Sequence, residues 1–275
     1  MNTSQPEAIH ASLNYLGEMH ERPMFHVFDY SRNNLNLVPH TALVRDGRRA
    51  LEGATLEKEG FCLVQHRTSV VRLDSKREIH RTYSPEIEEL IGLLTGARWV
   101  AAEPVGVVRM SQWNVSQPAV HPPLRFVHTD FTPESAAWLI HRLFHTAGED
   151  FLGSGRRCVV YNIWRCLTPA PQDMPLAICD SRTTDPRDAV AVDAVLDFPG
   201  SRPGMTQTSL FRFNECNEWY YYPNMTRDEV LVFKSFDSHA ADVGWVPHCA
   251  FDHPACRSAS TGRVSLDLRA VAIFQ

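Results

Sequence analysis

Phe126-Val127-His128-Thr129-Asp130 sets a histidine and an aspartate two residues apart, behind the apolar lead-in of Leu124, Phe126 and Val127. Side chains two apart on a strand stand on one face, so His128 and Asp130 can grip a single metal ion. Thr132-Pro133-Glu134-Ser135 follows as a helix start, with Thr132 as N-cap and Pro133 in the first helical position, and it puts the pair at a strand end just before a turn. His-x-Asp alone is a weak signal in a chain of 13 histidines, but its company strengthens it. His248 lies far downstream in Trp245-Val246-Pro247-His248, and Arg263-Val264-Ser265 comes near the C-terminus. That order matches a mononuclear iron(II) centre held by two histidines and one carboxylate. Three protein ligands on one face leave the opposite positions open for a co-substrate and O2, as an oxygenase requires.

Outward from this motif the chain reads as mainly β with flanking helices. Short strands are predicted at Met24–Phe28, Ala42–Arg45 and Gly60–His66, and a longer one at Trp99–Val108. Ser84-Pro85-Glu86 opens a helix, with Ser84 as its cap and Ile87, Leu90, Ile91 and Leu94 as its apolar stripe. Residues 118–123 form a Pro-rich loop, and a second helix runs from Pro133 to about Ala147, burying Ala136, Leu139, Ile140 and Leu143. From Cys158 strands and turns take over: Val159–Leu167, Leu176–Asp180, Gln207–Asn214, Trp219–Tyr222, Glu229–Phe236, Val243–His248 and Arg263–Phe274. Many short strands with Pro- or Gly-containing turns suggest a jelly roll, a cupin-like double-stranded β-helix open at one end. With no repeat and no Gly/Ser linker, residues 1–275 read as one oxygenase domain, with N-terminal strands and buttressing helices in 1–120 and a metal-binding jelly-roll core in 121–275.

Composition narrows the function classes. The 275 residues are 44% hydrophobic and 21% charged with a net charge of −5, and no basic run is present, so a nucleic-acid partner is not indicated. No apolar stretch approaches the length of a membrane span, and the N-terminus lacks the pattern of a secretory signal. The seven cysteines are scattered without a Cys-x-x-Cys pair and read as reduced thiols. The expectation is a cytoplasmic monomer or homodimer acting on a small molecule, with no membrane partner.

If His128, Asp130 and His248 hold iron(II), 2-oxoglutarate can bind through its C1 carboxylate and keto oxygen, with one position left for O2. Its far carboxylate then needs a cation. Arg263 offers a planar fork that matches a carboxylate with two hydrogen bonds, and Ser265 adds a hydroxyl. Alternation puts Arg263, Ser265, Asp267 and Arg269 on one strand face and Val264, Leu266 and Leu268 on the other, so Arg269 rivals Arg263 as the anchor. Asn162 and Trp164 share a face opposed to Arg165; Asn162 is a candidate for the co-substrate and Trp164 and Arg165 for the substrate. Tyr220 and Tyr222 are candidate pocket walls. Lys234 interrupts an apolar strand and must either pair with Asp237 or meet an acidic ligand.

Tyr161-Asn162-Ile163-Trp164-Arg165, residues 174–180, Trp219-Tyr220-Tyr221-Tyr222-Pro223-Asn224-Met225-Thr226, residues 228–238 and Pro247-His248-Cys249-Ala250-Phe251-Asp252 stand in a recognisable order. Gly60-Phe61, Tyr83-Ser84-Pro85-Glu86 and Thr95-Gly96-Ala97 extend it upstream. The chain resembles the hydroxylase/desaturase family of iron(II)/2-oxoglutarate oxygenases that includes the cephamycin-pathway hydroxylase and the aspirochlorine-pathway enzyme of fungi. The resemblance implies a double-stranded β-helix that uses iron(II), 2-oxoglutarate and O2 to oxidise specialised metabolites. It departs from that pattern at Cys249, where Thr is expected, and at His253, which stands in a usually acidic stretch and competes with His248 as a ligand. Two other classes stay open: a cupin-like carrier that has lost its chemistry, and a zinc hydrolase with the same triad.

Overall fold

Residues 8–16 alternate, with Ile9, Ala11, Leu13 and Tyr15 buried and His10 and Ser12 exposed, which is how a strand covers a core on one face. The same logic, repeated along the chain, builds two curled sheets. The computed structural model describes residues 7–51, 53–112, 121–145, 150–197, 200, 202–240, 244–256 and 262–275. Its strands in chain order are β1 (Ala8–Leu16), β2 (Met24–His26), β3 (Leu37–Asp46), β4 (Phe61–Gln65), β5 (Trp99–Ala102), β6 (Val107–Met110), β7 (His128–Thr129), β8 (Cys158–Cys166), β9 (Leu176–Cys179), β10 (Ala189–Leu196), β11 (Gly204–Phe211), β12 (Trp219–Tyr221), β13 (Glu229–Asp237), β14 (His248–Ala250) and β15 (Val264–Ile273). The larger sheet has the order β1-β3-β12-β9-β14-β7-β11-β10-β2, and the smaller one β4-β13-β8-β15-β5, with β6 also pairing β15. Together they form the double-stranded β-helix expected from the strand pattern, with N-terminal strands adding to both sheets.

Strand alternation sorts the core into layers. Outside the smaller sheet, Ile87, Leu90 and Ile91 of the helix Ser84–Thr95 pack on Val159, Tyr161, Ile163, Val232, Leu266 and Leu268. Between the sheets, Trp164, Leu231 and Phe233 meet Leu176, Ile178 and Tyr220. The outer face of the larger sheet buries Tyr15, Val44, Trp219 and Tyr221, with the Trp219 indole donating to Tyr15 Oη at 2.9 Å. Leu268 has no exposed surface. Leu268→Ala is therefore expected to destabilise the protein by about 2–5 kcal/mol, read from chemical denaturation.

Several predicted boundaries shift for identifiable reasons. Ser84 is not a cap: the helical path begins at Lys76 behind Ser75, whose side chain accepts from Glu78 N–H, and widens to π geometry over Ile79–Tyr83. That wider turn precedes Pro85, which cannot donate to a preceding carbonyl. Ser84 Oγ donates instead to Glu103 O at 2.7 Å. The predicted strand Trp99–Val108 is two strands, broken around Pro104, which can offer no ladder hydrogen bond. The predicted strand ending at His248 begins there: residues 244–247 lie outside any strand, and β14 starts with the histidine. The Thr132 cap is as expected, and the helix covers Pro133–Phe144. The predicted extension to Ala147, the loop residues 118–120 and Val243 lie outside the described residues. β1 and β10 lie outside the predicted strands, although β1 alternates in sequence and β10 is an almost unbroken apolar run.

Candidate metal centre

β7 ends as its chain reaches Asp130, and the Thr132-capped helix then turns away, so His128 and Asp130 project from a strand end. β14 lies antiparallel to β7 with His248 directly opposite His128. The two imidazoles are 4.3 Å apart between centroids. His128, Asp130 and His248 each offer one ligand atom, all within 4.8 Å of one another, and they are the one such cluster among the described residues.

The tautomers suit a metal. His128 Nδ1 lies 2.9 Å from Phe126 O, and His248 Nδ1 lies 3.1 Å from Val246 O. A carbonyl can only accept, so each Nδ1 carries the proton and each Nε2 keeps its lone pair for a ligand bond. Burial, followed by the neighbouring His128, pushes the His248 imidazole down to about 3, so it stays neutral. Burial alone would raise the Asp130 carboxyl. The charge of the neighbouring Arg269 outweighs it and holds Asp130 well below the usual carboxylate range. Two neutral nitrogens and one anionic oxygen form a donor set that fits a divalent first-row metal.

The smaller sheet supplies the opposite wall, and the predicted alternation holds along it. Arg263, Asp267 and Arg269 line the same cavity as the triad, together with Trp164, while Leu266 and Leu268 face the core outside. The two rival arginines differ in their partners. Arg269 is committed to Asp130, with Nη2 at 2.7 Å from Oδ2. Arg263 is 1% exposed and donates Nη1 to Met174 O at 2.8 Å, but no carboxylate of the described residues bridges it. Its guanidinium sits 5.5 Å from the centre of the Trp164 ring. Burial lowers its pKa to about 10, so it remains a cation at neutral pH. Among the described residues Arg263 Nε and Ser265 Oγ are both buried without a hydrogen-bond partner, which leaves these donors available to an anion. The cavity measures about 20 Å³, room for one ion or water.

Other predicted residues are placed elsewhere. Asn162 reaches Asp130 Oδ2 at 2.8 Å. Arg165, with no exposed surface, points to the other side of its sheet and binds Tyr83 Oη at 3.0 Å and the carbonyls of His66 and Arg227. Tyr220 and Tyr222 pack between the sheets near Phe61 rather than lining the cavity. Lys234 pairs with Asp237 at 2.9 Å and Glu57 at 3.2 Å, along a separate cleft. His253 sits against the Tyr221 and Phe251 rings and does not join the triad.

Sequence reading passed over Arg109, which lines the cavity and pairs with Asp267 at 3.0 Å, and Phe233, whose ring lies 4.6 Å from His248. Arg109 was discoverable as a charge inside the apolar run Val107-Val108-Arg109-Met110; Phe233 carries no such signal.

A curled pair of sheets with two histidines and one carboxylate converging at one end is the layout of the mononuclear facial-triad oxygenases. Comparison with known proteins agrees. A family profile described as an oxidoreductase/YMDC permease-like domain matches residues 13–273. An Fe(II)/2-oxoglutarate-dependent dioxygenase, nvfI, of Aspergillus novofumigatus is 30% identical over 244 residues, covering 86% of this chain and 84% of that protein. The hydroxylase/desaturase efuI of Hormonema carpetanum is 28% identical over 299 residues, covering 98% and 97%. A solved structure of the iron and alpha-ketoglutarate-dependent endoperoxidase NvfI superposes with a TM-score of 0.83 at 26% identity, covering 98% of this chain and 99% of that one. The chain belongs to this oxidoreductase family, together with these fungal dioxygenases and hydroxylase/desaturases. Among the described residues no helix is long and apolar enough to cross a membrane.

Proposed function

We propose that this protein is an iron(II)/2-oxoglutarate-dependent oxygenase that hydroxylates, desaturates or cyclises a small specialised metabolite. The observation that carries the reading is the pairing of a His128–Asp130–His248 cluster with a buried arginine in the same cavity, Arg263, that no carboxylate among the described residues bridges. A buried cation without a counter-ion is costly; an anionic ligand held there removes the cost. A zinc hydrolase has no use for it. Relatives named as an endoperoxidase and as hydroxylase/desaturases support oxidation of fungal secondary metabolites, with the outcome differing among them. Kinship with the cephamycin- and aspirochlorine-pathway enzymes is the narrower part of the proposal, carried by the ordered motifs around Tyr161, Trp219 and Pro247.

Bound at the cluster, iron(II) with 2-oxoglutarate supplies activation of O2 coupled to decarboxylation of the 2-oxo acid to succinate and carbon dioxide. The chain's own residues prepare that site. Phe126 O and Val246 O fix the two imidazole planes and direct both Nε2 atoms at the metal position. Arg263 and Ser265 would receive the distal carboxylate, with the Trp164 ring 5.5 Å from the guanidinium. Leu124, Leu176 and Ala250 contribute the apolar part of the wall. Cytoplasmic action as a monomer or homodimer completes the reading, supported by seven free cysteines, five of them buried.

Anaerobic addition of iron(II) and 2-oxoglutarate is expected to produce a weak visible charge-transfer band, and air is expected to start succinate formation. Absence of the band, or product formation that proceeds equally under argon, would sink the proposal.

A further inference from the structure

Three hydrogen bonds converge on one oxygen of Asp130. Arg269 reaches Oδ2 with Nε at 3.1 Å and Nη2 at 2.7 Å, and Asn162 Nδ2 reaches the same atom at 2.8 Å. Oδ1 is the oxygen turned to the histidines, 3.5 Å from His128 Nε2. Arg269 and Asn162 are directly opposed residues on β15 and β8, and both come from the sheet facing the one that carries Asp130. Strand register therefore delivers the two donors together. The Asn162 amide can contribute only with Nδ2 toward the carboxylate, since its oxygen there would face another acceptor.

A carboxylate with both oxygens free can chelate a metal through both and fill a second coordination position. Oδ2 has its lone pairs taken up by the three donors, so Oδ1 is the atom with electron pairs to give. We propose that Arg269 and Asn162 are positioning residues that confine Asp130 to coordination through one oxygen, preserving the position that a two-point co-substrate ligand needs. The inference rests on the reading of His128, Asp130 and His248 as metal ligands. It also explains why two arginines stand on one strand face. Arg269 is spent on Asp130, with Glu103 Oε2 3.8 Å behind it, while Arg263 is left for a ligand. A purely structural ion pair needs no second donor from a neutral amide on the same oxygen.

The test uses the full chain as wild type, Arg269→Gln, Arg269→Lys and Asn162→Leu, titrated anaerobically with iron(II) and then with 2-oxoglutarate. In Arg269→Gln and in Asn162→Leu alike, the charge-transfer band is expected to shift and 2-oxoglutarate affinity to fall by about tenfold or more, the usual scale for lost support of a metal ligand. Arg269→Lys, which keeps the charge but loses the fork, should lie between Arg269→Gln and wild type. Unchanged band and affinity in both Arg269→Gln and Asn162→Leu would overturn the inference. So would a loss confined to Arg269→Gln with Asn162→Leu like wild type, because Arg269 would then touch the co-substrate directly. If Arg269→Gln does not fold, the neutral exchange Asn162→Leu decides by the same two readouts. A wild-type protein that binds no iron refutes the underlying reading; wild-type binding with unaltered variants refutes the clamp alone.

Discussion

His128→Ala, Asp130→Ala and His248→Ala are each expected to abolish iron-dependent turnover. A bound metal supplies several kcal/mol of transition-state stabilisation, and each ~1.4 kcal/mol is a factor of ten in rate, so the loss should be on the order of a thousandfold or more. Succinate formation and iron content of the purified variants measure it. The three differ in what else they disturb. Removing either histidine takes away a ring whose Nδ1 partner is one backbone carbonyl. Removing Asp130 also strips Arg269 of its principal counter-ion and leaves Glu103 at 3.8 Å. Asp130→Ala should therefore lose stability as well, by about 3 kcal/mol, near the low end for breaking a buried pair because one carboxylate remains. His253→Ala should keep wild-type iron binding, since His253 stands outside the cluster. An Asp130→Ala protein with full activity, or a His253→Ala protein without iron, would reassign the ligands.

Arg263→Ala is expected to raise the 2-oxoglutarate requirement by a few hundredfold or more while leaving iron affinity little changed. Breaking one side of a buried charge pair costs about 3–5 kcal/mol, and a single buried guanidinium is asked to hold the distal carboxylate. Titration of the charge-transfer band separates the two affinities. Arg263→Lys should recover part of the loss, because an ammonium keeps the charge but neither the fork nor the guanidinium's contact with the Trp164 ring. Equal loss of iron and co-substrate would instead mean that Arg263 supports the site's shape. Arg263 and Arg269 are thus expected to fail differently, one through the ligand's far end and the other through Asp130.

Where the chain could be read directly, the signal was local. The Thr132-Pro133 start holds because a cap and a first-turn proline act within four residues. Ser84-Pro85 looked the same and was not, because a helical path was already running from Lys76 and absorbed the proline through a wider turn. Lys234 resolved to the local partner suspected for it, Asp237 three residues on, with Glu57 added from a distant loop. Arg165 is not a pocket residue, and alternation already sets it opposite Asn162 and Trp164; its carbonyl and phenol partners on the far side of the sheet satisfy it there.

Alternation by itself determined which side chains share a face: His128 with Asp130, Asn162 with Trp164, and Arg263 with Ser265, Asp267 and Arg269. A β-strand's two-residue period is a property of the backbone and needs no neighbour. Which strands lie together is another matter. His248 opposite His128, and Asn162 opposite Arg269, are cross-strand pairs selected by the packing of whole sheet faces. No short segment encodes that choice. Asp130 and Arg269 are 139 residues apart in the chain, and only tertiary structure could decide that this arginine, and not Arg263, would be consumed by the carboxylate. The same holds for the cation left over, because whether a buried charge is paired depends on every element packed around it.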